Sequence, residues 1–360
     1  MDKIVVGMSG GVDSAVAALL LKRAGYDVIG VTLRTWQSDD GGESRCCDID
    51  DARSAAHKIG IAYFPVNCTL DFQRYVVDPF AKEYLQGRTP NPCIECNRYV
   101  KWEKLLYYAR AAGADRIATG HYASVVKLDN GRYTVKKAVH SEKDQAYMLY
   151  KLTQEQLAAT LMPLGNLSKN EVRRMAQEAG LPVASKPDSQ EVCFVTDGHY
   201  ADYIEKTARS DYPAAGFFVD TSGKVLGRHK GIVRYTVGQR KGLGVALGFP
   251  AYVKEIRADT HEVILSDERS LYRRELLCRD LHFMSIPGLK KGETVPCTVK
   301  IRYRHSGQPA VIALTDDGMV KVSFDEPVRA AAPGQSAVFY DDEERIIGGG
   351  VIAAIGSDSC

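Results

Sequence analysis

No stretch of the 360-residue chain comes near the roughly 20 consecutive apolar residues of a membrane helix; the longest candidate, Ile347 to Ile355, contains three glycines. The chain begins with Asp2 and Lys3 and runs directly into a strand-like segment, so no secretory signal is expected. An excess of one charge is missing too. Forty-seven Lys and Arg against 45 Asp and Glu leave +2, which excludes a strongly basic nucleic-acid coat but not a local basic face. There is no internal repeat or low-complexity tract, and with 45% apolar residues the composition is not that of a disordered chain. Two phosphate signatures are also absent. Gly-x-x-x-x-Gly-Lys-Ser/Thr occurs nowhere, and the first glycine turn lacks the Gly-x-Gly-x-x-Gly spacing. A soluble chain with two or three domains remains, since about 150 residues make one domain. Its nine cysteines are expected to be reduced, in a cytoplasmic compartment.

Strand-like and helix-like patterns alternate through the first half. Lys3–Met8, Asp27–Leu33, Ile61–Val66 and Arg116–Thr119 read as strands. Asp13–Ala24, Ile49–Ile59, Leu70–Leu85 and Tyr99–Ala112 read as helices, and Ser168 with Glu171 forms a capping-box pattern. That order predicts an α/β fold with a doubly wound parallel sheet. After about residue 205, short alternating runs separated by turns predict a small β-rich central domain and then a β-barrel. The expected domains are 1–204, 205–273 and 274–360. Charge is uneven here. Lys224 to Arg304 carries 17 Lys and Arg against 8 Asp and Glu, whereas His305 to Cys360 carries 3 against 9. A basic middle of +9 and an acidic tail of −6 lie behind the overall +2, and the middle suits a polyanion. Lys300-Ile301-Arg302-Tyr303-Arg304 reads as an alternating strand with three cations on one face.

Ser9-Gly10-Gly11-Val12-Asp13-Ser14 lies between the first strand and the first helix. Glycines there let backbone N–H groups approach an anion, toward which the helix points its positive end. The segment resembles the pyrophosphatase-type ATP loop of enzymes that adenylate a carbonyl oxygen. The resemblance implies ATP binding by Gly7, Met8, Ser9, Gly10, Gly11, Val12, Asp13 and Ser14, with Leu33 and Gly120 beside the adenosine. Mg²⁺ is expected with the phosphates, and Asp13 is a candidate ligand.

Thr89 to Asn97 contains two prolines and reads as a loop that presents Cys93 and Cys96 just before a helix, a position favouring thiolates. Cys193 lies in another polar, proline-containing stretch, and Cys46-Cys47 form an adjacent pair. Cys46, Cys47, Cys93 and Cys96 around zinc or an iron–sulfur cluster is the metal alternative, weakened because adjacent cysteines are poor tetrahedral partners; no metal site is expected. Cys68, Cys278 and Cys297 sit in apolar or strand-like runs and suit inert burial, and Cys360 ends a polar tail. An adenylating site beside reactive thiols suits replacement of a carbonyl oxygen by sulfur.

Across nearly its whole length the chain resembles the bacterial tRNA-specific 2-thiouridylases. The matching stretches are Gly7–Ser14, Gly87–Asn97, Ala118–Tyr122, Lys143–Gln145, Asp188–Phe194 and Tyr235–Gly244. The resemblance implies sulfur insertion at C2 of the wobble uridine, with Cys96 as the nucleophile that ends in a disulfide and Cys193 as the persulfide carrier. It implies contact with the target base by Asn91, Pro92 and Cys93. It further implies tRNA contacts at His121, Lys143, Asp144, Gln145, Arg302, Tyr303 and Gln335, and a sulfur-relay or cysteine desulfurase-linked protein as donor. Trp102 stands where the family pattern leads one to expect Phe. The competing readings are an adenylating ligase or amidotransferase on the same loop, and an RNA-binding module with structural zinc.

Overall fold

The computed structural model of the chain describes residues 2–36, 47–187, 192–195, 200–208 and 212–355. Cys46, Cys360 and Asp188–Glu191 of the motif ending at Phe194 lie outside the described residues. The first half contains β1 (Lys3–Gly7), α1 (Val12–Arg23), β2 (Asp27–Arg34), α2 (Ile49–Ile59), β3 (Ala62–Asn67), α3 (Thr69–Phe72) and α4 (Asp78–Leu85). α5 (Pro92–Glu95), α6 (Trp102–Ala111), β4 (Arg116–Thr119), and the hairpin of β5 (Ala123–Lys127) and β6 (Tyr133–Lys137) follow. α7 (Gln154–Ala158), β7 (Thr160–Leu161), α8 (Lys169–Glu178) and α9 (Tyr200–Ala208) complete this part.

The main sheet is parallel, in the order β3-β2-β1-β4-β7. Alternation along β1 sends Ile4 and Val6 into one apolar cluster and Val5 into another. The first cluster takes in the alanine-rich α1, α2 and α8; the second takes in α4 and α6. Helices therefore cover both faces, and the doubly wound architecture is borne out. The capping box is present as well: Glu171 N–H donates to Ser168 Oγ (3.3 Å) and Ser168 N–H to Glu171 Oε2 (2.8 Å).

The Thr89–Asn97 reading needs correction. Pro92 does not break a helix but opens α5, at the first-turn position where a missing N–H costs nothing. Asn91 caps it, accepting from Cys93 N–H at 3.1 Å. A π-helical stretch, Cys96–Lys101, joins α5 to α6, and a second one, Gln73–Val77, joins α3 to α4.

β8 (Phe217–Val219), β9 (Val225–Arg228), β10 (Tyr252–Arg257) and β11 (Glu262–Ser266) form the small central sheet. β12 (Tyr272–Phe283), β13 (Thr294–Lys300), β14 (Gln308–Leu314), β15 (Val320–Arg329), β16 (Ser336–Tyr340) and β17 (Ile346–Ile355) close into a six-stranded barrel, as expected. β13 stops at Lys300, however, and a turn follows in which His305 N–H donates to Arg302 C=O at 3.0 Å. Lys300 is buried, Arg302 half-buried and Arg304 exposed, so the expected three-cation strand face does not exist.

The barrel is tied to the first half by buried bonds. Tyr147 OH donates to Ser336 C=O (2.8 Å), and Thr134 Oγ1 to Ile346 C=O (2.6 Å). Trp102 also has a structural part: fully buried, it donates through Nε1 to Thr160 Oγ1 (2.8 Å) and joins α6 to β7. Trp102→Phe removes that bond and leaves a small void. It is expected to cost about 1–3 kcal/mol of unfolding free energy, read as a lower urea midpoint; an unchanged midpoint contradicts this role.

Candidate active site

β1 continues toward β2 and β3 on one side, and β4 lies on its other side, so the crevice between β1 and β4 is the topological switch point of the sheet. The loop after β1 is built for that place. Met8 N–H donates to Val31 C=O (2.8 Å), and Thr32 Oγ1 donates to Met8 C=O (2.6 Å), fixing the loop's start. Gly10 has φ +77°, and a Cβ there would lie 2.4 Å from Asp48 O. Gly11 caps α1 without a side-chain hydrogen bond, while Val12 and Ser14 are buried beneath the loop. Ser14 Oγ accepts from Ser9 N–H (3.1 Å) and donates to Gly11 C=O (3.1 Å), which holds the glycine arch open. The glycine cradle and the start of α1 suit an anion of phosphate size.

Gly120, expected beside adenosine, directly follows β4 and faces this loop. A Cβ there would come within 2.6 Å of Ser14 N, so its glycine is demanded by contact with the first turn of α1. Gly7 likewise lies against Leu105. Leu33 is buried at the end of β2, in the same cluster as Cys96.

Asp13 is not placed as a magnesium ligand. Lys169 Nζ donates to both its carboxylate oxygens (2.7 and 2.8 Å), and Tyr122 OH to one of them (2.7 Å). A carboxylate neutralised in this way does not fit a Mg²⁺ site. Lys169, at the first position of α8, was missed by sequence reading; the capping box marked the helix but not the partner of its lysine. Lys186 was missed too. It bonds Asp48 (2.7 Å) and Asp51, binding the segment before Cys193 to the start of α2. Burial alone would raise the Asp48 pKa, but the bonds and charge of Lys186 and the Asp51 N–H outweigh it and lower it.

α6 runs back antiparallel to the sheet, so the helical stretch from Pro92 begins on the same carboxyl side. Cys93 is exposed and Cys96 buried, at the switch from α-helical to π-helical bonding. Such irregularities recur at functional sites. The stretch is held from below: Asn97 Nδ2 donates to Met148 C=O (3.0 Å), and Lys151 Nζ to Glu95 Oε1 (2.5 Å). Cys193, half-buried, packs on the cluster that contains Cys96. Its neighbour Phe194 meets Phe72 edge-on at 5.6 Å, just past the carboxyl end of β3. Burial pushes the Cys68 thiol up to about 11 and those of Cys278 and Cys297 up to about 12, as suits inert thiols. Among the described residues, no three His, Cys, Asp or Glu side chains gather as a metal site.

The residues expected to meet RNA divide into two sets. Tyr303 is half-buried, its ring 6.3 Å from that of Tyr147, and it lies within electrostatic reach of Asp144, Lys143, Arg304 and Cys93; burial, then the charge of Asp144, raises its pKa. Several of the others point inward. Asp144 is buried, and its Oδ1 accepts from Ala138 N–H (3.1 Å) and Ala146 N–H (3.2 Å); burial raises its pKa. Gln145 Oε1 accepts from Tyr122 N–H (3.0 Å). Gln335 Nε2 donates to Thr89 C=O (2.8 Å), and Thr89 N–H donates to Pro333 C=O (2.8 Å). Arg302 donates to the carbonyls of Arg329 (3.1 Å) and Ala330 (3.4 Å). His121 bonds Thr119 Oγ1 (2.9 Å) and packs on Trp102; burial, then the charge of Lys101, pushes it down to about 3.

Residues 2–197 match the family model described as the tRNA methyl transferase HUP domain. Residues 202–267 match the tRNA methyl transferase PRC-barrel domain, and 273–352 the aminomethyltransferase beta-barrel domain. The chain is 51% identical over 360 residues to the tRNA-specific 2-thiouridylase MnmA of Lachnoclostridium phytofermentans, covering 98% of this chain and 99% of that protein. It is 51% identical to the protein of that name from Acetivibrio thermocellus (97% of this chain, 99% of that one) and 48% identical to that of Clostridioides difficile (97% and 98%). The chain belongs to the tRNA-specific 2-thiouridylase family. It is therefore an enzyme, a sulfurtransferase whose HUP domain uses ATP. No described helix is long and apolar enough to cross a membrane.

Two outcomes are expected. Lys169→Ala exposes the Asp13 charge to the incoming phosphates and raises the KM for ATP about tenfold or more. Adding Asp13→Asn recovers part of the loss in steady-state assays; no recovery contradicts the pairing. For His121, the unfolded value is 6.5 and the folded value about 3. The stability it contributes is complete above pH 6.5 and is lost as pH falls from 6.5 toward 3. His305, lowered to about 4, adds a slope of the same sign. His121→Gln flattens the acid limb of denaturation midpoint against pH, and a limb of wild-type slope contradicts it.

Proposed function

We propose that the enzyme replaces O2 of the wobble uridine of tRNA by sulfur through an adenylated intermediate. The uridine O2 attacks the α-phosphate of ATP and pyrophosphate leaves. The terminal sulfur of a Cys193 persulfide attacks C2, and AMP departs with the former carbonyl oxygen. Cys96 thiolate then attacks the Cys193 sulfur of the resulting C2–S–S bond. The 2-thiouridine is released and a Cys96–Cys193 disulfide forms. A dithiol reductant supplies the two electrons that reset the pair, and a donor protein of the sulfur relay recharges Cys193.

One observation carries this reading. The glycine cradle after β1 and the segments bearing Cys96 and Cys193 belong to the same carboxyl edge of one sheet. Adenylation needs the cradle; transfer needs thiols near the activated carbon. Lys169 disposes of the Asp13 charge beside the phosphates. Neutral His121, next to Gly120, adds no charge to the crevice at physiological pH. Asn91, Pro92 and Cys93 are assigned to the target base, with Lys143, Arg302 and Tyr303 on the rim that faces the RNA. Asp144, Gln145 and Gln335 serve this rim from behind through the bonds that hold its loops. A wobble base sits in a single-stranded loop, so extruding it costs little. Residues 1–204 form the catalytic unit of this reading, 205–273 the central domain and 274–360 the barrel.

Cys96→Ser and Cys193→Ser are each expected to abolish 2-thiouridine in nucleosides recovered from tRNA incubated with ATP and a persulfide donor, as read by mass spectrometry. Full activity of either variant contradicts the two-cysteine chemistry.

A further inference from the structure

Residues 221–254 contain seven Lys or Arg and no Asp or Glu. Within them, Arg240–Ala251 makes a long excursion before β10. Its neck is closed by Gly238 N–H donating to Val253 C=O (2.7 Å) and Val253 N–H donating to Gln239 C=O (2.9 Å). Beyond the neck the chain is anchored by buried Leu243 and by half-buried Val245 and Leu247, which pack on the main apolar cluster, while Arg240–Gly242, Gly244, Ala246 and Gly248–Pro250 are exposed. Apart from the hydrogen-bonded turn at Lys241 and Gly242, no backbone N–H from Arg240 to Phe249 among the described residues donates to another backbone group. Gly242, Gly244 and Gly248 have φ of +77°, +70° and +74°. A Cβ at Gly244 or Gly248 would meet nothing within 4 Å, so packing does not account for these glycines. Left-handed glycines in an exposed loop leave backbone N–H groups that an anion can reach. Arg240 and Lys241 are exposed at its start and Phe249 is 52% exposed at its end, beside an open groove of about 480 Å³.

The loop is continuous with the barrel rim. The Arg240 guanidinium lies 6.0 Å from the Tyr252 ring centre, and Arg329 lies 5.3 Å from the same ring. Arg302 in turn bonds the carbonyls of Arg329 and Ala330. Arg240, Arg329 and Arg302 thus lie in succession from the central sheet to the barrel, Arg329 with its charge paired to Glu268 (2.9 Å).

We propose that the Arg240–Ala251 loop is a second RNA-backbone site, which takes phosphates of the tRNA through Arg240, Lys241 and the backbone N–H groups of its exposed glycines. Phe249 offers a face for a ribose or an unstacked base. The inference rests on the reading that tRNA lies against Arg302 and Tyr303, and it adds a surface that neither catalysis nor target-base recognition uses. An acidic protein segment would answer the charge alone; the aromatic at the loop's end and the continuity with Arg302 favour RNA.

The test compares the full-length enzyme with R240A/K241A and R302A, measuring tRNA affinity against salt and thiolation rate against tRNA concentration. R240A/K241A is expected to weaken tRNA binding about tenfold at 0.15 M salt and to flatten log K against log[salt] by about one to two units. Its kcat at saturating tRNA and its thermal midpoint stay at wild-type values. The single variants R240Q and K241Q divide the effect, and R240E/K241E deepens it. Wild-type affinity and slope in R240A/K241A, with R302A still weakened, overturn the loop site and leave the rim reading standing. Wild-type behaviour in both overturns the rim reading and the loop site together. A loss confined to kcat also overturns the proposal, because a phosphate contact acts on binding.

Discussion

Everything in the catalytic half depends on how closely β4 approaches the first turn of α1. The backbone at Gly120 lies so near Ser14 and Asp13 that no side chain fits between them. That contact sets the width of the crevice at the switch point, and with it the position of the glycine arch over the start of α1. Tyr122, two residues beyond Gly120, then reaches Asp13 with its hydroxyl, and Lys169 closes on the same carboxylate from α8. A single backbone approach thus brings β1, α1, β4 and α8 together around the place where phosphates are to be held. Left-handed Gly10, wedged against Asp48, extends the arrangement to α2.

The barrel supports this geometry from the other side. Thr89 is gripped through both its N–H and its C=O by the Pro333–Gln335 turn, three residues before Pro92 opens α5. Gly334, at φ +90°, allows the turn to come this close, since a Cβ there would lie 2.8 Å from Thr89 N. The orientation of Cys93 and Cys96 is therefore fixed partly by a domain nearly 250 residues away in sequence. On the proposed reading, in which the barrel meets RNA at Tyr303, its hold on Thr89 couples substrate seating to the cysteine segment through a few short contacts.

Much of the fold was legible because its periodicities are strong. The boundaries of α2 and β4 agree with the sequence reading to the residue, and the capping box at Ser168 is present. What was illegible has physical causes. β12 carries three register irregularities, so its alternation breaks, and Asp280 within it adopts φ +50°. Pro92 looked like a breaker because the first-turn exception depends on Asn91 capping, which pattern alone does not reveal. Lys300–Arg304 alternates in sequence but turns after Lys300, where the chain must bend back into β14. At the site, the glycine arch and cysteine segments stood out by motif. Lys169, Lys186 and the inward roles of Asp144 and Gln335 did not, because each is defined by a partner far away in the chain.

The thiols show how the same residue type divides by environment. A nucleophile must reach its thiolate near neutral pH, and burial opposes that by removing water from the charged form. Cys68, Cys278 and Cys297 are held well above that range by burial, so they stay protonated and unreactive while sulfur chemistry proceeds elsewhere. Cys96 is also buried, but it sits where the helix bonding pattern changes, three residues after the exposed Cys93. On the proposed reading a base held by Asn91, Pro92 and Cys93 changes the surroundings of Cys96, whereas Cys68 and Cys278 stay enclosed by protein. Selectivity among the cysteines then follows from what covers each one: protein on every side for Cys68 and Cys278, a half-buried strand position for Cys297, and on the proposed reading substrate on one side for Cys96.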